Sequence, residues 1–552
     1  MTASALTFER KHSLAPTTES FWGTIFLVIA LAHIIAVLAM PIIYDTMHLG
    51  DTLFLLNEGR RVLLGLAPGV DYQSFYGGLA PWFLSLSFRV FGLEVRAIDL
   101  VVLLHLAVVL PLALIVLRRR AGQFTTLAMM ALLATCLLTR APLEEHVALI
   151  QPVSAHSFSY NRLGLAFSLV SLLFVLLPTR PDRNEEMLGG LASGAALGMA
   201  LLCKWSFAIM PPFVLLALAL QRRWTACLSL LAATVLCWFL FDPFGRQFLG
   251  ALAYMQEAAA ADGLGGLSGL IFKSVNTILS HVPVLLAMGV GIVVAARALH
   301  PRERIGWLAA AVVMVAAFGA ACLVMGPFGL IGHQILPVAA AILLICFERA
   351  RQREDAGEPV QKVLALIVLF AFLLPHLANT MAITATGFAK RDEALIAEGP
   401  MKGYLQRYDA GNAREDLRAV IAYAADRIAA DKAVARPMEY PVFVDGLSAL
   451  GHLGDLSRHG VIADGLFNYE FAVGSAPVLD YPLWPRPSSP ELRATTGIPA
   501  EADIVMILRH DAGALGSILR KRMGAAFVPC LQTGIWSVFA RTGANVEGCK
   551  VL

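Results

Sequence analysis

The sequence predicts a polytopic α-helical membrane protein that carries a small α/β domain after its last span. Hydrophobic residues make up 58% of the 552 residues, charged residues 15%, and the mean hydropathy is +0.69. A typical soluble domain has about 25% charged residues. The apolar residues are gathered into blocks of about 17–25 residues, the length with which a helix crosses roughly 30 Å of hydrocarbon. Backbone N–H and C=O groups must pair internally there, so each block is predicted to be helical.

Blocks of this kind predict about eleven membrane spans. They lie near residues 21–43, 97–117, 122–139, 161–178, 188–203, 205–220, 225–241, 275–297, 306–326, 331–347 and 363–383. The first block follows Arg10 and Lys11. It is too long for the apolar region of a signal peptide and has no small-residue cleavage site, which predicts a span that is retained.

The connections between spans predict the orientation of the chain. Alternate connections are short and basic, for example at Arg118–Arg120 and Arg222–Arg223, and the positive-inside bias assigns them to the cytoplasm. An odd number of spans then places the C-terminal part outside. The sequence therefore predicts a cytoplasmic segment at 1–20, a membrane domain at 21–384 and an extracytoplasmic domain at 385–552. A multi-pass protein of a cell membrane, of the bacterial inner-membrane kind, fits this organisation.

The segment after residue 384 has the pattern of an α/β domain. Apolar residues at helical spacing predict a helix over Asn412–Asp431. Short β-prone runs predict strands at Pro441–Val444, Ile504–Leu508 and Trp536–Ala540. Two cysteines of this domain, Cys530 and Cys549, can form a disulfide if the domain lies in an oxidising compartment. The other six cysteines fall in the apolar blocks, where they are expected to be small core residues.

The first outward loop, residues 44–96, holds most of the chemistry-bearing residues. It opens with Tyr44, Asp45, His48 and Asp51. An amphipathic helix is predicted from Asp51 to Gly65, followed by a turn-rich polar segment at 71–78 and a second amphipathic stretch from 81 to 92. Amphipathic helices of this type lie in the membrane interface and do not cross it.

These features resemble the first loop of the GT-C glycosyltransferases. The shared pattern is an acidic residue after the first span, a helix that ends in Gly, a Pro/Asp/Tyr segment, and then Gly77-x-x-x-Pro81-Trp82-Phe83. The superfamily includes the lipid A aminoarabinose transferases and the protein O-mannosyltransferases. The apolar run Gly194–Lys204 and the segment Gly332–Pro337 resemble two later parts of the family pattern, and the resemblance covers most of residues 20–385.

The resemblance implies an enzyme, of the inverting GT-C type, that transfers a sugar from a polyprenyl phosphate donor to an extracytoplasmic lipid, glycan or protein. A carboxylate would accept the proton of the acceptor. Asp51 is the first candidate for this catalytic role, although Asp is also a preferred helix N-cap. The family often has adjacent acidic residues at this position. Here Thr52 follows Asp51, so Asp45 is the second candidate.

Other residues are candidates for binding the sugar, the acceptor or the lipid phosphate. They are Lys204, His333, Arg60, Arg61, Asp71, Tyr72, Tyr160, Asn161 and Arg162. Each has a structural alternative. Lys204 can extend to the headgroups, an arginine of the pair at 60–61 can belong to a solvated helix face, and Asp71 can form a turn. His333 can be a structural histidine, and residues 160–162 can anchor the chain at the interface.

A divalent cation is an open alternative. Glu144, Glu145 and His146 carry ligand types that metals favour, but adjacent residues do not share one helix face. The sequence therefore predicts no firm cofactor.

Two other functions compete with the glycosyltransferase. A transporter or flippase of a lipid-linked envelope precursor usually carries ionisable residues near the midplane and repeated halves, whereas this chain gathers its ionisable residues at the outer surface. The C-terminal domain is also compatible with a third function, that of a non-enzymatic protein of envelope assembly. The net charge of +3 does not suggest a nucleic-acid partner. The expected partners are the lipid-linked donor, the acceptor and membrane lipids.

Overall fold

The computed structural model describes the chain over most of its length. The described residues are 18–46, 49–74, 77–140, 154–156, 159–178, 182–262, 275, 279, 281–325, 335–352, 358–393, 396–407, 439–464, 467–483, 496–509 and 514–549.

Helices dominate the described chain up to residue 389. Their bounds are α1 Thr18–Leu38, α2 Leu49–Leu63, α3 Leu79–Phe91, α4 Ala97–Leu117, α5 Gln123–Leu138, α6 Ser159–Leu176, α7 Arg183–Cys203, α8 Met210–Leu220, α9 Trp224–Phe241, α10 Arg246–Asp262, α11 Val282–Ala298, α12 Pro301–Met325, α13 Ile335–Arg351 and α14 Glu358–Ala389. A 3-10 helix, Trp205–Ile209, leads into α8. A short strand, β1 (Ile43–Asp45), lies between α1 and α2.

The helices agree with the predicted membrane architecture. Within the described residues, seven are long and apolar enough to cross a membrane: α1, α4, α6, α7, α9, α12 and α14. The other four predicted spans correspond to the shorter helices α5, α8, α11 and α13. The polytopic helical fold is thus confirmed, while the count of eleven spans stays a prediction.

Helix α6 is the centre of the membrane domain, because all of its residues are buried. Three buried arginines cover its C-terminal end, two from the connections that follow α4 and α8 and one from the last turn of α13. Arg120 donates to Pro178 O at 3.2 Å, Arg223 to Phe174 O at 2.9 Å, and Arg349 to Leu177 O at 2.9 Å. Cations stabilise the carbonyl end of a helix. These connections are among the basic ones assigned to the cytoplasm by the sequence.

Helices α7 and α9 approach each other closely along a row of glycines. A Cβ at Gly194 would collide with Leu230 O, and a Cβ at Gly198 would lie 2.8 Å from Cys237 Cβ. Thr234 Oγ1 donates to Gly194 O at 3.0 Å. Small residues permit this contact, as is usual between membrane helices.

The first loop follows the predicted order of two amphipathic helices. Helix α2 has Asp51 in its first turn and two arginines in its last, which matches the helix dipole. Gly65 (φ +91°) and Gly92 (φ +98°) follow the ends of α2 and α3 in a conformation that favours glycine. Four apolar side chains of α3 are exposed: Trp82, Leu86, Val90 and Phe91.

The C-terminal part contains a four-stranded sheet. Its elements are β2 Tyr404–Gln406, α15 Glu439–Gly451, β3 Gly460–Ala463, α16 Glu470–Val473, β4 Ala502–Leu508, α17 Ala514–Met523, β5 Phe527–Gln532 and β6 Trp536–Arg541. The sheet order is β3-β4-β6-β5, with β3 and β4 parallel and the other pairs antiparallel. A disulfide joins Cys530 and Cys549.

The strands predicted at Ile504–Leu508 and Trp536–Ala540 are confirmed as β4 and β6. The strand predicted at Pro441–Val444 is wrong, because this run lies at the start of helix α15. Proline is tolerated in a first helical turn, and burial of Val442, Phe443 and Val444 outweighs their strand preference. The predicted helix Asn412–Asp431 lies outside the described residues.

Candidate functional site

Asp45 lies at the end of β1, in a carboxylate site that is closed to solvent. Its side chain is 0% exposed. Oδ1 accepts from His156 Nδ1 at 2.6 Å and from the His156 backbone N–H at 3.1 Å. Oδ2 accepts from Thr52 Oγ1 at 3.1 Å and from Tyr404 OH at 3.2 Å. A buried carboxylate needs such donors to remain charged, and here both oxygens have them.

His156 connects Asp45 to a second buried ion pair. Its Nε2 lies 3.2 Å from Asp99 Oδ1, and Arg140 binds both oxygens of Asp99 at 3.0 and 2.7 Å. Burial opposes the charged imidazole, but Asp45 and Asp99 outweigh it and raise the pKa of His156 to about 9. Asp45, His156, Asp99 and Arg140 therefore alternate in charge and sum to zero.

Asp51 is the more accessible of the two candidate carboxylates. It is partly exposed in the first turn of α2. Its neighbour Thr52 is the residue that donates to Asp45. Asp45 and Asp51 are thus joined through one hydrogen bond and one peptide unit. The buried Asp45 supports the helix turn that carries the more accessible Asp51.

Lys204 lies directly after α7, which begins with an Asp182 N-cap accepting from Asn184 N at 2.9 Å. The lysine is 3% exposed. Its Nζ lies 3.2 Å from Asn161 Oδ1 and 5.2 Å from the centre of the Tyr160 ring. The structure therefore brings together three residues that the sequence selected separately, by an amide contact and a cation–π contact.

Asn161, which contacts this lysine, and the two residues that follow Lys204 in the chain, Trp205 and Ser206, all carry buried polar atoms. Within the described part of the chain, Asn161 Nδ2, Trp205 Nε1 and Ser206 Oγ have no hydrogen-bond partner. Unsatisfied buried polar atoms are uncommon in folded proteins. All three atoms can donate a hydrogen bond, and Lys204 adds a positive charge. We call these four residues the Lys204 cluster, and its chemistry suits an anionic group with several oxygen acceptors.

The Lys204 cluster and the carboxylate site are linked by a short stretch of chain. His156 contacts Asp45, and Tyr160, four residues later, contacts Lys204. Four residues span at most roughly 14 Å. The first loop also reaches this region, since Gly77 N donates to Cys203 O at 3.2 Å. A Cβ at Gly77 would collide with Leu202 O, so this close approach requires glycine.

Arg60 and Arg61 bind a residue of the C-terminal domain. Arg60 Nη1 lies 3.3 Å from Glu470 Oε1, and Arg61 Nη2 lies 2.7 Å from Glu470 Oε2. Arg60 is 8% exposed and Arg61 1%, so the interpretation that one of them belongs to a solvated helix face is wrong. Contacts to sugar or phosphate stay a prediction, but the two arginines have a structural role in docking α16 onto α2.

Asp71 and Tyr72 also make structural contacts. Asp71 Oδ2 accepts from Ala67 N at 2.7 Å, as a turn-forming aspartate does. Tyr72 is buried, with Arg61 Cζ 5.0 Å from its ring centre. Arg162 is buried on α6 beside Asn161. Of the remaining candidates, His333, Glu144, Glu145 and His146 lie outside the described residues.

The described residues contain no group of three His, Cys, Asp or Glu side chains that could hold a metal ion. Sequence reasoning did not predict that His156, Asp99 and Arg140 meet at the carboxylate site. Asp99 lies near one end of an apolar block and Arg140 at the end of the next. This arrangement could have predicted their ion pair, because charged side chains at such depths in a membrane require partners.

Comparisons with known proteins place the chain beside two kinds of solved structure. No family model and no curated protein matches. Similar structures include ArnT from Cupriavidus metallidurans bound to undecaprenyl phosphate, at 12% identity, covering 96% of this chain and 100% of that chain with a TM-score of 0.45. An oligosaccharyltransferase, AglB from Archaeoglobus fulgidus in complex with an inhibitory peptide and a dolichol-phosphate, has 10% identity, coverage of 96% and 75%, and a TM-score of 0.45.

Both are GT-C fold members. Identities of 10–12% and TM-scores of 0.45 do not assign a function to this chain.

Proposed function

We propose that this chain is a membrane glycosyltransferase that moves a sugar from a polyprenyl phosphate to an extracytoplasmic lipid, glycan or protein acceptor. The Lys204 cluster is the observation that carries the proposal. It combines a buried cation with three buried donors that lack partners among the described residues. A phosphate monoester or diester supplies the oxygens that such a site requires. The carboxylates of β1 and α2 lie near the other end of the same short stretch of chain, residues 154–161.

In the proposed reaction, the acceptor hydroxyl or amine attacks the anomeric carbon while the bond from that carbon to the phosphate oxygen breaks. The bonding electrons leave with the polyprenyl phosphate. Asp51 takes the proton of the acceptor as general base. Lys204 and the other donors of the Lys204 cluster stabilise the charge that grows on the departing phosphate. Attack from the face opposite the phosphate inverts the anomeric configuration. Asp45 is the alternative base, but its full burial and its donors favour a supporting role.

The proposed organisation keeps the boundaries expected from the sequence. Residues 1–20 are cytoplasmic, residues 21–384 form the catalytic membrane domain, and residues 385–552 form an extracytoplasmic domain in a cell membrane. The basic connections that cap α6 support this orientation. The C-terminal domain contributes to the choice of acceptor, since it docks directly onto the loop that carries the carboxylates.

A transporter of a lipid-linked precursor is the second candidate. The observation that favours it is a set of buried histidines within the spans: His33 on α1, His105 on α4 and His376 on α14. Ionisable side chains at such depths often mark transport pathways. A transporter would move the lipid-linked sugar between leaflets and leave the sugar–phosphate bond intact.

One assay separates these functions. The purified protein in lipid nanodiscs is incubated with polyprenyl phosphate sugars and candidate acceptors, and the release of polyprenyl phosphate is measured. We expect release by the wild-type protein, a loss of at least about 100-fold in kcat for Asp51→Asn, and a loss of about 100-fold in kcat/KM for Lys204→Gln. The exposed residues Asp392 and Lys402 provide matched controls as Asp392→Asn and Lys402→Gln.

Two results would contradict the proposal. One is the absence of lipid phosphate release with every donor, accompanied by movement of the intact donor across a vesicle membrane. The other is unchanged turnover in both Asp51→Asn and Asp45→Asn variants that fold normally.

A further inference from the structure

The segment that follows the last span is bound to both ends of the first loop. We call residues 396–407 the connecting segment. Its strand β2 pairs in parallel with β1, with Asp45 opposite Gln406. Ile43 N donates to Gly403 O at 3.0 Å and Arg407 N to Asp45 O at 2.8 Å. Val95, at the other end of the loop, donates to Pro400 O at 2.7 Å. The connecting segment therefore fixes the loop backbone at the point where Asp45 is presented.

Tyr404 extends this connection to the carboxylate itself. It is 0% exposed, and its hydroxyl donates to Asp45 Oδ2 at 3.2 Å. The same oxygen accepts from Thr52, the residue beside Asp51. Tyr440 OH donates to Tyr404 O at 2.7 Å, which holds the backbone of Tyr404 from the C-terminal side. Burial and the charge of Asp45 keep the pKa of Tyr404 above its ordinary value, so the phenol remains a donor.

We propose that Tyr404 is a positioning residue for the transfer reaction, acting through Asp45 and Thr52 on the helix turn that carries Asp51. This inference rests on the proposed function and deepens it. It makes the C-terminal part of the chain a component of the transfer site itself, in addition to any part that it takes in binding the acceptor.

The carboxylate of Asp45 is closed to solvent and depends on donors from the protein. Each oxygen of Asp45 has its donors within the protein, and in the described part of the chain the side chains that donate to Oδ2 are Thr52 and Tyr404. Loss of the phenol hydroxyl leaves part of a buried negative charge without a partner. The charge then draws more strongly on Thr52 and on His156, and the first turn of α2 shifts with Thr52. A misplacement of about 1 Å in a reacting group can lower a rate by roughly two orders of magnitude.

The test compares Tyr404→Phe with Tyr481→Phe. Tyr481 is also buried, and its hydroxyl donates to a backbone carbonyl, Ala463 O, at 2.9 Å. Both variants lose one buried hydroxyl, and Tyr404→Phe loses the contact with Asp45. We expect Tyr404→Phe to lower kcat at least tenfold with the donor KM within twofold of wild type. Tyr481→Phe should change neither value.

A second measurement does not depend on activity. The imidazole resonances of ¹⁵N-histidine-labelled protein are titrated with pH, and His156, which faces Asp45 and Asp99, is assigned with a His156→Gln sample. We expect the His156 titration midpoint to rise in Tyr404→Phe and to stay unchanged in Tyr481→Phe. If Tyr404→Phe does not fold, Thr52→Val removes the other donor to Oδ2 and should give the same loss of kcat.

The two proposals fail in different ways. If wild-type protein releases no lipid phosphate, the proposed function fails, and the His156 titration alone decides whether Tyr404 controls the carboxylate site. Equal kcat values and equal titration midpoints in the Tyr404 and Tyr481 variants would overturn the positioning role, even if the enzyme is a glycosyltransferase.

Discussion

At the scale of single residues, Glu58 is a buried acid that the proposed reaction does not use. It lies on α2 with its side chain fully buried, and Ser74 Oγ donates to its Oε1. Burial raises the pKa of Glu58 to about 8, against the opposing effects of Ser74 and Arg61. The pKa of this acid is higher in the folded protein than in the unfolded chain, where it is about 4.3. Its full contribution to stability is therefore present at pH values below about 4.3. This stability is lost as the pH rises toward the folded pKa.

We therefore predict that Glu58→Gln flattens the dependence of stability on pH between about 4.5 and 8, because glutamine reproduces the protonated side chain without titrating. Above pH 8 the variant should unfold at a higher temperature than the wild type. Since one pKa unit corresponds to about 1.4 kcal/mol, the gain is at most about 5 kcal/mol. Thermal unfolding in detergent from pH 5 to 9 measures it. Glu398→Gln, at an exposed position, is the control, and parallel curves for wild type and Glu58→Gln would refute the prediction.

At the scale of elements, the glycine row of α7 determines where Lys204 lies. Gly190, Gly194 and Gly198 share the helix face that meets α9, and each has backbone or side-chain atoms of α9 within contact distance of an added Cβ. Lys204 follows directly from the end of α7. Any change that separates the two helices therefore also moves the cation of the proposed phosphate site.

We predict that Gly194→Ala destabilises the protein by about 1–3 kcal/mol, the usual cost of overpacking a close contact. Gly319→Ala on α12 is the matched control, because a Cβ there meets no atom within 4 Å; alanine in an open helix position is neutral or stabilising. Thermal unfolding in detergent and binding of undecaprenyl phosphate are measured for both variants. A Gly194→Ala protein as stable as Gly319→Ala would show that the helices can separate without cost.

At the scale of the whole molecule, the sequence predicts local features well and long-range partners poorly. The helical periodicity of α2 and the position of Lys204 after α7 follow from spacing alone, and so they are predicted. The Asp99–Arg140 pair joins residues 41 apart, and the Tyr404–Asp45 contact joins residues 359 apart. Each partner has several possible matches in the sequence, and only the packed helices select one. The strand at Pro441–Val444 fails for the same reason, since tertiary burial overrides a short local preference.

A buried acid contributes to the docking of the C-terminal domain onto the first loop, in addition to the β1–β2 pairing. Glu470 is 2% exposed and is shared by Arg60 and Arg61, which lie on α2 in the same helix as Asp51. The contact is extended by Asn57 Nδ2, which donates to Asn468 O at 3.1 Å. Removing one partner of a buried ion pair leaves the other charge uncompensated, which costs about 3–5 kcal/mol. Here two guanidinium groups would lose their counter-charge together.

We predict that Glu470→Gln loosens this domain from the loop while both parts keep their own folds. Limited proteolysis should then cut the chain between the last span and α15 several times faster than in the wild type, and turnover of the polyprenyl phosphate donor should fall together with this protection. Glu501→Gln, at an exposed position of the same domain, removes an equal charge without touching α2 and should resist the protease as the wild type does.

Faster cleavage in both variants would point to a general effect of charge. Equal resistance in both would mean that the β1–β2 pairing and the Tyr404 contact hold the domain without Glu470. In that case the arginines of α2 would be dispensable for docking, and their role as ligands of a sugar or phosphate would have to be tested directly.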